Sequence, residues 1–394
     1  MPEFLTGMAD LVWPFAIALA WLAGEFVHRF AGLPRVTVYA LTGFLLSHAQ
    51  TGLLPLPSES AAMLFANIAF GLILFEFGYR INLRWLRANP WIGATGLLES
   101  AATFAIVFAV ADAFGMAPLA AMLLASLAIA TSPAEVLRVV NEQRSSGQVT
   151  ERALHLSALN CVIAVFVFNI IIGLWTFQYS GSLLGAVSNS LVLLVVSGAL
   201  GVAFGFATPA LLRKLGTLGR DATMAFAVAV ILLCALAQAL KMSPVLAALT
   251  FGFVARHRRV TLGQAQRNFG VLGDMLTVLL FVFIGSALAW PRIATGFTIA
   301  FAMLAARFVA KLAGVLVFSR VSGTTLRKGL LTAVALSPMS VLVIAMLVRT
   351  RYMGIDLMDQ LAPLAAATLF LAIIGPLLTQ WALKLAGETA EKEE

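Results

Sequence analysis

Few residues in this chain are able to do chemistry, and they sit in apolar surroundings. Thr131-Ser132-Pro133-Ala134-Glu135 interrupts one long apolar stretch, and Ser337-Pro338 interrupts another. Proline removes a backbone donor and breaks the turn before it. Ser132, Pro133 and Glu135 also spell a new helix start, with an N-cap, an N1 proline and a capping-box glutamate. The start of such a half-helix favours anions, and the free carbonyls ending the preceding half could face a cation. Ser157, Asn160 and Cys161 fall on one helical face. Arg307 and Lys311 are four apart and share another face. Glu99 and Glu135 are the acids available to balance them. Charge inside a membrane is paired or faces water, because burying it alone is costly. Arg307 is therefore expected to pair with Glu99, and Lys311 to face Asn160 and Cys161. Plainer readings remain for each: proline kinks, structural salt bridges, an asparagine tying helices together, an inert buried cysteine. Glu76 and Arg80, also i and i+4, read as a surface pair. His155 lies near one mouth and could titrate near neutrality.

These residues must be carried by membrane helices. Of 394 residues, 61% are hydrophobic and only 11% charged, where a soluble domain carries about 25% charged residues. That excludes a water-soluble fold and disorder, and the +8 net charge belongs to membrane loops rather than to nucleic-acid binding. The long Ala, Leu, Gly and Phe runs lack the strict alternation of a membrane barrel. The chain reads as an all-α polytopic membrane protein. Thirteen candidate helices are expected at 9–28, 34–51, 60–79, 90–113, 117–143, 149–178, 182–212, 220–241, 243–256, 267–290, 295–320, 326–350 and 357–386. Residues 1–7 read as an extension ahead of a second possible start at Met8. With the N-terminus outside and the C-terminus inside, only Lys241, Arg292, Arg349 and Arg351 of the 26 basic residues lie outside. Arg307 and Lys311 are intramembrane, and all the others are inside, as the positive-inside rule requires. No nucleotide loop, metal cluster or nucleophile elbow is present, so neither a cofactor, a metal nor an enzymatic activity is expected.

Two motifs recur about 205 residues apart. Ser132-Pro-Ala-Glu-Val-Leu137 matches Ser337-Pro-Met-Ser-Val-Leu342, and Ala40-Leu-Thr-Gly-Phe44 resembles Ala248-Leu-Thr-Phe-Gly-Phe253. An offset of seven spans inverts the second copy, with 182–212 as the linker. Proline-interrupted helices in corresponding places of inverted repeats point to a binding site near the bilayer midplane. Helix rise puts Lys311 about 13 Å deep, Glu99 about 14 Å, Ser132 and Ser337 about 16 Å, Cys161 roughly 12–18 Å and Arg307 about 20 Å. The hydrocarbon core is about 30 Å thick, so these groups gather near its middle.

In this order the motifs resemble the cation:proton antiporter-2 family, which has the sodium/proton exchanger fold. Gly32-Leu-Pro-Arg with Leu41-Thr-Gly43 is similar to its proline-led second helix, and Phe75-Glu-Phe-Gly-Tyr-Arg-Ile-Asn-Leu-Arg84 to its third-helix exit. Thr131-Ser-Pro133 resembles its first unwound break, and Ala158-Leu-Asn-Cys161 its Asn-Asp or Asp-Asp helix. Arg307 to Lys311 covers its basic residue ahead of the second break at Ser337-Pro338. The resemblance runs from about residue 10 to 385.

The resemblance implies a dimerisation domain from 9–79 and 220–290, a core transport domain from 90–178 and 295–386, and the linker helix 182–212. It further implies a homodimer in a bacterial inner membrane, exchanging a monovalent cation such as sodium or potassium for protons by an elevator-like movement. Asn160, Cys161, Thr131, Ser132, Ser157, Glu135 and Ser337 would surround the ion, and Lys311, Arg307 and Glu99 would compensate charge. Cys161 stands where the family has its ion-binding aspartate, and a neutral thiol is a poor ligand for a hard cation that prefers oxygen. Glu135 is the available displaced carboxylate. An uncoupled or differently coupled solute carrier, or a non-transporting regulatory protein, are the other functions this departure leaves open.

Overall fold

The computed structural model describes residues 2–48, 50–54, 59–175, 183–214, 222–258, 269–286, 290–340 and 362–389. Fifteen helices lie among them: α1 (Pro2–Ala31), α2 (Arg35–Leu46), α3 (Glu59–Arg80), α4 (Leu83–Ala88), α5 (Trp91–Ala113), α6 (Pro118–Ile129), α7 (Pro133–Glu142), α8 (Gln148–Trp175), α9 (Leu183–Lys214), α10 (Ala222–Ala239), α11 (Pro244–His257), α12 (Gly270–Ser286), α13 (Trp290–Ser319), α14 (Leu326–Ala335) and α15 (Ala362–Leu385). Six of the described helices are long and apolar enough to cross a membrane, within α1, α5, α8, α9, α10 and α13. Shorter apolar helices include α2 and α6. Large apolar side chains such as Phe15, Phe26 and Phe30 on α1, and Leu184, Val192 and Val195 on α9, are left exposed. Lipid, not water, is the solvent that tolerates such faces.

The apolar stretch at 117–143 is two helices, α6 and α7, separated at residues 130–132. At 326–350, α14 ends at Ala335 and a non-helical segment continues through residue 340. The expected restart of that helix falls within 341–361, outside the described residues.

The chain divides into two compact units. One holds residues 1–56, 86–171 and 281–394. Within it α13 packs on α5, α14 and α15, while α2 and α7 pack on α15. The α5–α13 approach is close: a Cβ added to Gly314 would lie 2.5 Å from the Glu99 Cα. Small residues at a crossing let helix backbones meet in this way. The other unit holds 57–85 and 172–280. There α11 packs on α3, α9 and α10 around Phe75, Phe226 and Phe251, all fully buried. The ring centroids of Phe75 and Phe251 are 4.8 Å apart, edge to face. Glu76, read from sequence as part of a surface pair, is buried. It follows Phe75 along α3, and the packing of that helix in its unit carries the position inward.

The N-terminal end of α8 is capped by a residue distant in the chain, Glu388. Glu388 accepts hydrogen bonds from Val149 N at 2.9 Å, Thr150 N at 2.8 Å and the Thr150 hydroxyl at 2.9 Å. Its backbone carbonyl accepts from Ser146 N at 2.9 Å, and Lys328 approaches the same carboxylate at 3.5 Å. A carboxylate at a helix start satisfies orphan N–H groups and suits the positive pole. Gly147, with φ +153°, passes against the Glu388 side chain, so a Cβ there meets both backbone strain and a clash. Hydrogen bonds to a charged group contribute about 1.5–3 kcal/mol. Glu388→Ala should therefore lower the thermal midpoint in detergent measurably, and Glu388→Gln, which keeps an acceptor, should lower it less. Equal midpoints for Glu388→Ala and wild type would remove the cap from the list of stabilising contacts.

Candidate functional site

The site is built where the two helix breaks cross. At the first, α6 ends, Ala130 adopts an extended conformation, and Ser132 caps α7 by accepting from Glu135 N at 3.3 Å. Pro133 supplies the first helical residue. At the second, α14 ends and Ser337 to Ser340 are non-helical, with Met339 in a β-bridge. The two segments meet as an isolated antiparallel bridge between Thr131 and Met339. Ser132 N donates to Pro338 O at 3.1 Å, and the Thr131 hydroxyl donates to Leu336 O at 3.4 Å. The breaks are thus in direct contact.

Such a crossing leaves backbone carbonyls without helical partners inside a membrane, where no water satisfies them. Arg307 on α13 satisfies them. Its Nε donates to Ala128 O at 2.8 Å, and its Nη1 to Ser337 O at 2.7 Å. Its Nη2 reaches Ala130 O, Leu336 O and Pro338 O at 3.2, 3.3 and 3.2 Å. The expected pairing of Arg307 with Glu99 is therefore wrong. The guanidinium is stabilised by the carbonyl ends of two half-helices, each a partial negative pole. Lys311 takes the carboxylate instead: it is buried and forms an ion pair with Glu99 Oε1, with a second hydrogen bond to Ile129 O at 3.3 Å. It does not spend its ammonium on Asn160 or Cys161.

Around the first break a polar relay runs between helices. Ser100 of α5 donates to Asn160 Oδ1 at 3.3 Å, and Asn160 Nδ2 donates to the Thr131 hydroxyl at 3.1 Å. The Cys161 thiol donates to Thr131 O at 3.2 Å, and the Ser340 hydroxyl lies against it. Thr131 is the hub, touched by α8 through both Asn160 and Cys161 and by the second break through Leu336. Ser157 lies one turn away on α8 and donates to its own helix, to Ala153 O at 2.6 Å. Glu135 is fully buried in the first turn of α7. The capping box read from its spacing is not closed, because the Ser132 N–H it would accept is already donated to Pro338 O. Neither carboxyl oxygen of Glu135, nor the Ser337 hydroxyl, has a hydrogen-bond partner among the described residues.

Sequence reasoning missed Ser100 and Ser340. Ser100 adjoins Glu99 in an otherwise apolar helix and, with Thr103 a turn later, is buried. Two hydroxyls within one turn after a buried acid were the signal that could have found it. Ser340 lies just past the second proline, where the non-helical backbone turns its side chain toward α8; nothing in its local sequence marks it.

Breaking a buried ion pair by removing one partner costs about 3–5 kcal/mol, whereas replacing both with apolar groups is often close to neutral. Lys311→Met alone and Glu99→Leu alone should each depress the thermal midpoint strongly. The double variant should recover most of the loss. Simple addition of the two single losses would show that these residues do not act as a pair.

The sequence and fold are both similar to known proteins. The family model described as sodium/hydrogen exchanger, transmembrane, matches residues 15–385. A structure of the sodium proton antiporter MjNhaP1 from Methanocaldococcus jannaschii at pH 8 superposes with a TM-score of 0.68 at 17% identity, covering 95% of this chain and 99% of that one. An electron-microscopy structure of the same antiporter gives a TM-score of 0.70 at 20% identity, covering 98% and 99%. No curated protein matches the sequence significantly.

Proposed function

Because the chain belongs to the sodium/hydrogen exchanger family, a family of membrane transporters rather than enzymes, we propose that it exchanges a monovalent cation, sodium or potassium, for protons at the crossing of its two helix breaks. The observation that carries this reading is the hub at Thr131. There a membrane-buried segment of non-helical backbone meets Asn160 and Cys161 from α8. Irregular backbone at membrane depth marks the binding sites of transporters.

The charges at the crossing support a cation as the transported species. Arg307 is committed to carbonyls and Lys311 to Glu99, so neither cation is free to attract an anion into the site. Side-chain oxygens on Thr131, Asn160, Ser132 and Ser337 are the groups a dehydrated alkali cation would use. Elevator movement of residues 90–178 and 295–386 against a dimer-forming 9–79 and 220–290 belongs to this proposal. So do a homodimer in a bacterial inner membrane with its N-terminus outside, the cation:proton antiporter-2 branch, and the reading of Cys161 as the replacement of an aspartate.

One observation favours a second reading. The Cys161 thiol is buried and donates to a backbone carbonyl, which is not how a cation ligand is presented. If no other acid takes up the coupling, the protein would carry its solute without protons.

Purified protein in liposomes with an imposed pH gradient separates the readings. Addition of sodium or potassium should move protons, with lithium and chloride as comparisons. Cys161→Asp should increase the cation-evoked proton flux several-fold, since it restores an oxygen ligand that exchanges proton for cation. Solute flux with no proton movement would establish the uncoupled carrier. A well-folded Cys161→Asp protein indistinguishable from wild type would show that this position does not govern coupling.

A further inference from the structure

We propose that Glu135 is the acid that carries the exchanged proton, in the part for which position 161 offers only a thiol. This rests on the exchange reading above and names the residue that couples the two ions.

The argument starts from what the crossing does to Glu135. In an ordinary capping box the N3 carboxylate accepts the N-cap N–H, and the two ends satisfy each other. Here half of the box forms, with Glu135 N donating to the Ser132 hydroxyl at 3.3 Å. The other half is taken away, because Ser132 N is bonded to Pro338 O on the second break. Both Glu135 oxygens are left in a fully buried place with no hydrogen-bond partner among the described residues. A carboxylate in that position is expensive, and the neutral acid is far cheaper. Glu135 therefore holds a proton in this conformation.

The surrounding charges do not supply a fixed counter-ion. Arg307 is near enough for its charge to be felt, but its N–H groups are directed at the five carbonyls of the crossing. Lys311 on the same helix is paired with Glu99 of α5. On α7 itself, Arg138 stands nearly one turn on and makes no hydrogen bond with the carboxyl. From α8 the nearby titratable group is Cys161, a donor to Thr131 O. On α15, which packs on α7, Lys384 in the last turn is the charged residue. A glutamate kept for stability would be held by one of these cations. Glu135 is instead held by none, at the start of a half-helix beside the Ser132 hydroxyl.

That arrangement suits exchange. When a cation enters, the Glu135 O–H bond breaks, the proton leaves to water, and the carboxylate takes the cation as its counter-charge. On the opposite side the cation leaves and a proton from water restores the O–H bond. One cation and one proton occupy the same carboxyl in turn.

The test compares wild type, Glu135→Gln, Glu135→Asp and Glu135→Gln combined with Cys161→Asp in liposomes across a range of pH. Glu135→Gln keeps the size and should lose cation-evoked proton flux by at least about tenfold. Glu135→Asp should retain flux with a displaced pH profile, which a merely structural residue would not produce. The combined variant should recover flux through the new carboxylate. Infrared difference spectra of unmutated protein give a measurement independent of variant folding. A protonated-carboxyl band should disappear when sodium or potassium is added. Cation-evoked flux in wild type with an unchanged rate and pH profile in Glu135→Gln overturns the assignment of Glu135 while leaving exchange intact. A carboxyl band unmoved by either cation overturns it as well. Absence of cation-evoked proton movement in wild type overturns both the exchange reading and this inference.

Discussion

Everything at the crossing depends on one guanidinium. Two helices stop in the middle of a membrane protein, and each stop exposes carbonyls that lipid cannot satisfy. Arg307 lies between them and donates to carbonyls on both breaks. Arginine suits this task because its five donors lie in a rigid planar fork and its charge does not titrate away. A lysine would bring a point charge and three donors, and would not reach both segments in the same geometry. Arg307 donates to carbonyls on both sides of the antiparallel bridge between Thr131 and Met339.

The arrangement separates structural charge from functional charge. Arg307 is held by backbone carbonyl dipoles, and Lys311 with Glu99 forms a neutral pair. Both can be buried because each cation has its hydrogen bonds satisfied by the protein. What remains at the crossing is a set of neutral oxygens, a thiol and one carboxyl.

Much of this was legible in the sequence, and the misses have physical causes. Ser132, Pro133 and the repeated Ser337-Pro338 located both breaks, because proline and a hydroxyl N-cap act through local backbone chemistry. Glu99 pairs with Lys311 rather than with Arg307, whose partners are backbone carbonyls. Depths of about 13 and 14 Å for Lys311 and Glu99, against about 20 Å for Arg307, already favoured the observed pair. A sequence displays only acidic side chains as counter-charge for an arginine, whereas a broken helix turns ordinary carbonyls into counter-charge. The unclosed capping box was illegible for a related reason. The spacing of Ser132 and Glu135 fixes what those two residues would do alone, and only the arrival of Pro338 from the second break, far along the chain, changes it.

The cap on α8 places a condition on biosynthesis. The first turn of α8 waits for Glu388, whose carboxylate it meets 239 residues later in the chain. The carbonyl of Ala128 waits 179 residues for Arg307. At ~5–20 residues per second of translation, the first delay is roughly ten to fifty seconds. During that interval the leading half of the protein emerges from the ribosome with its central backbone groups unanswered. The order in which helices leave the ribosome, rather than the propensity of any one of them, then times the closing of the crossing.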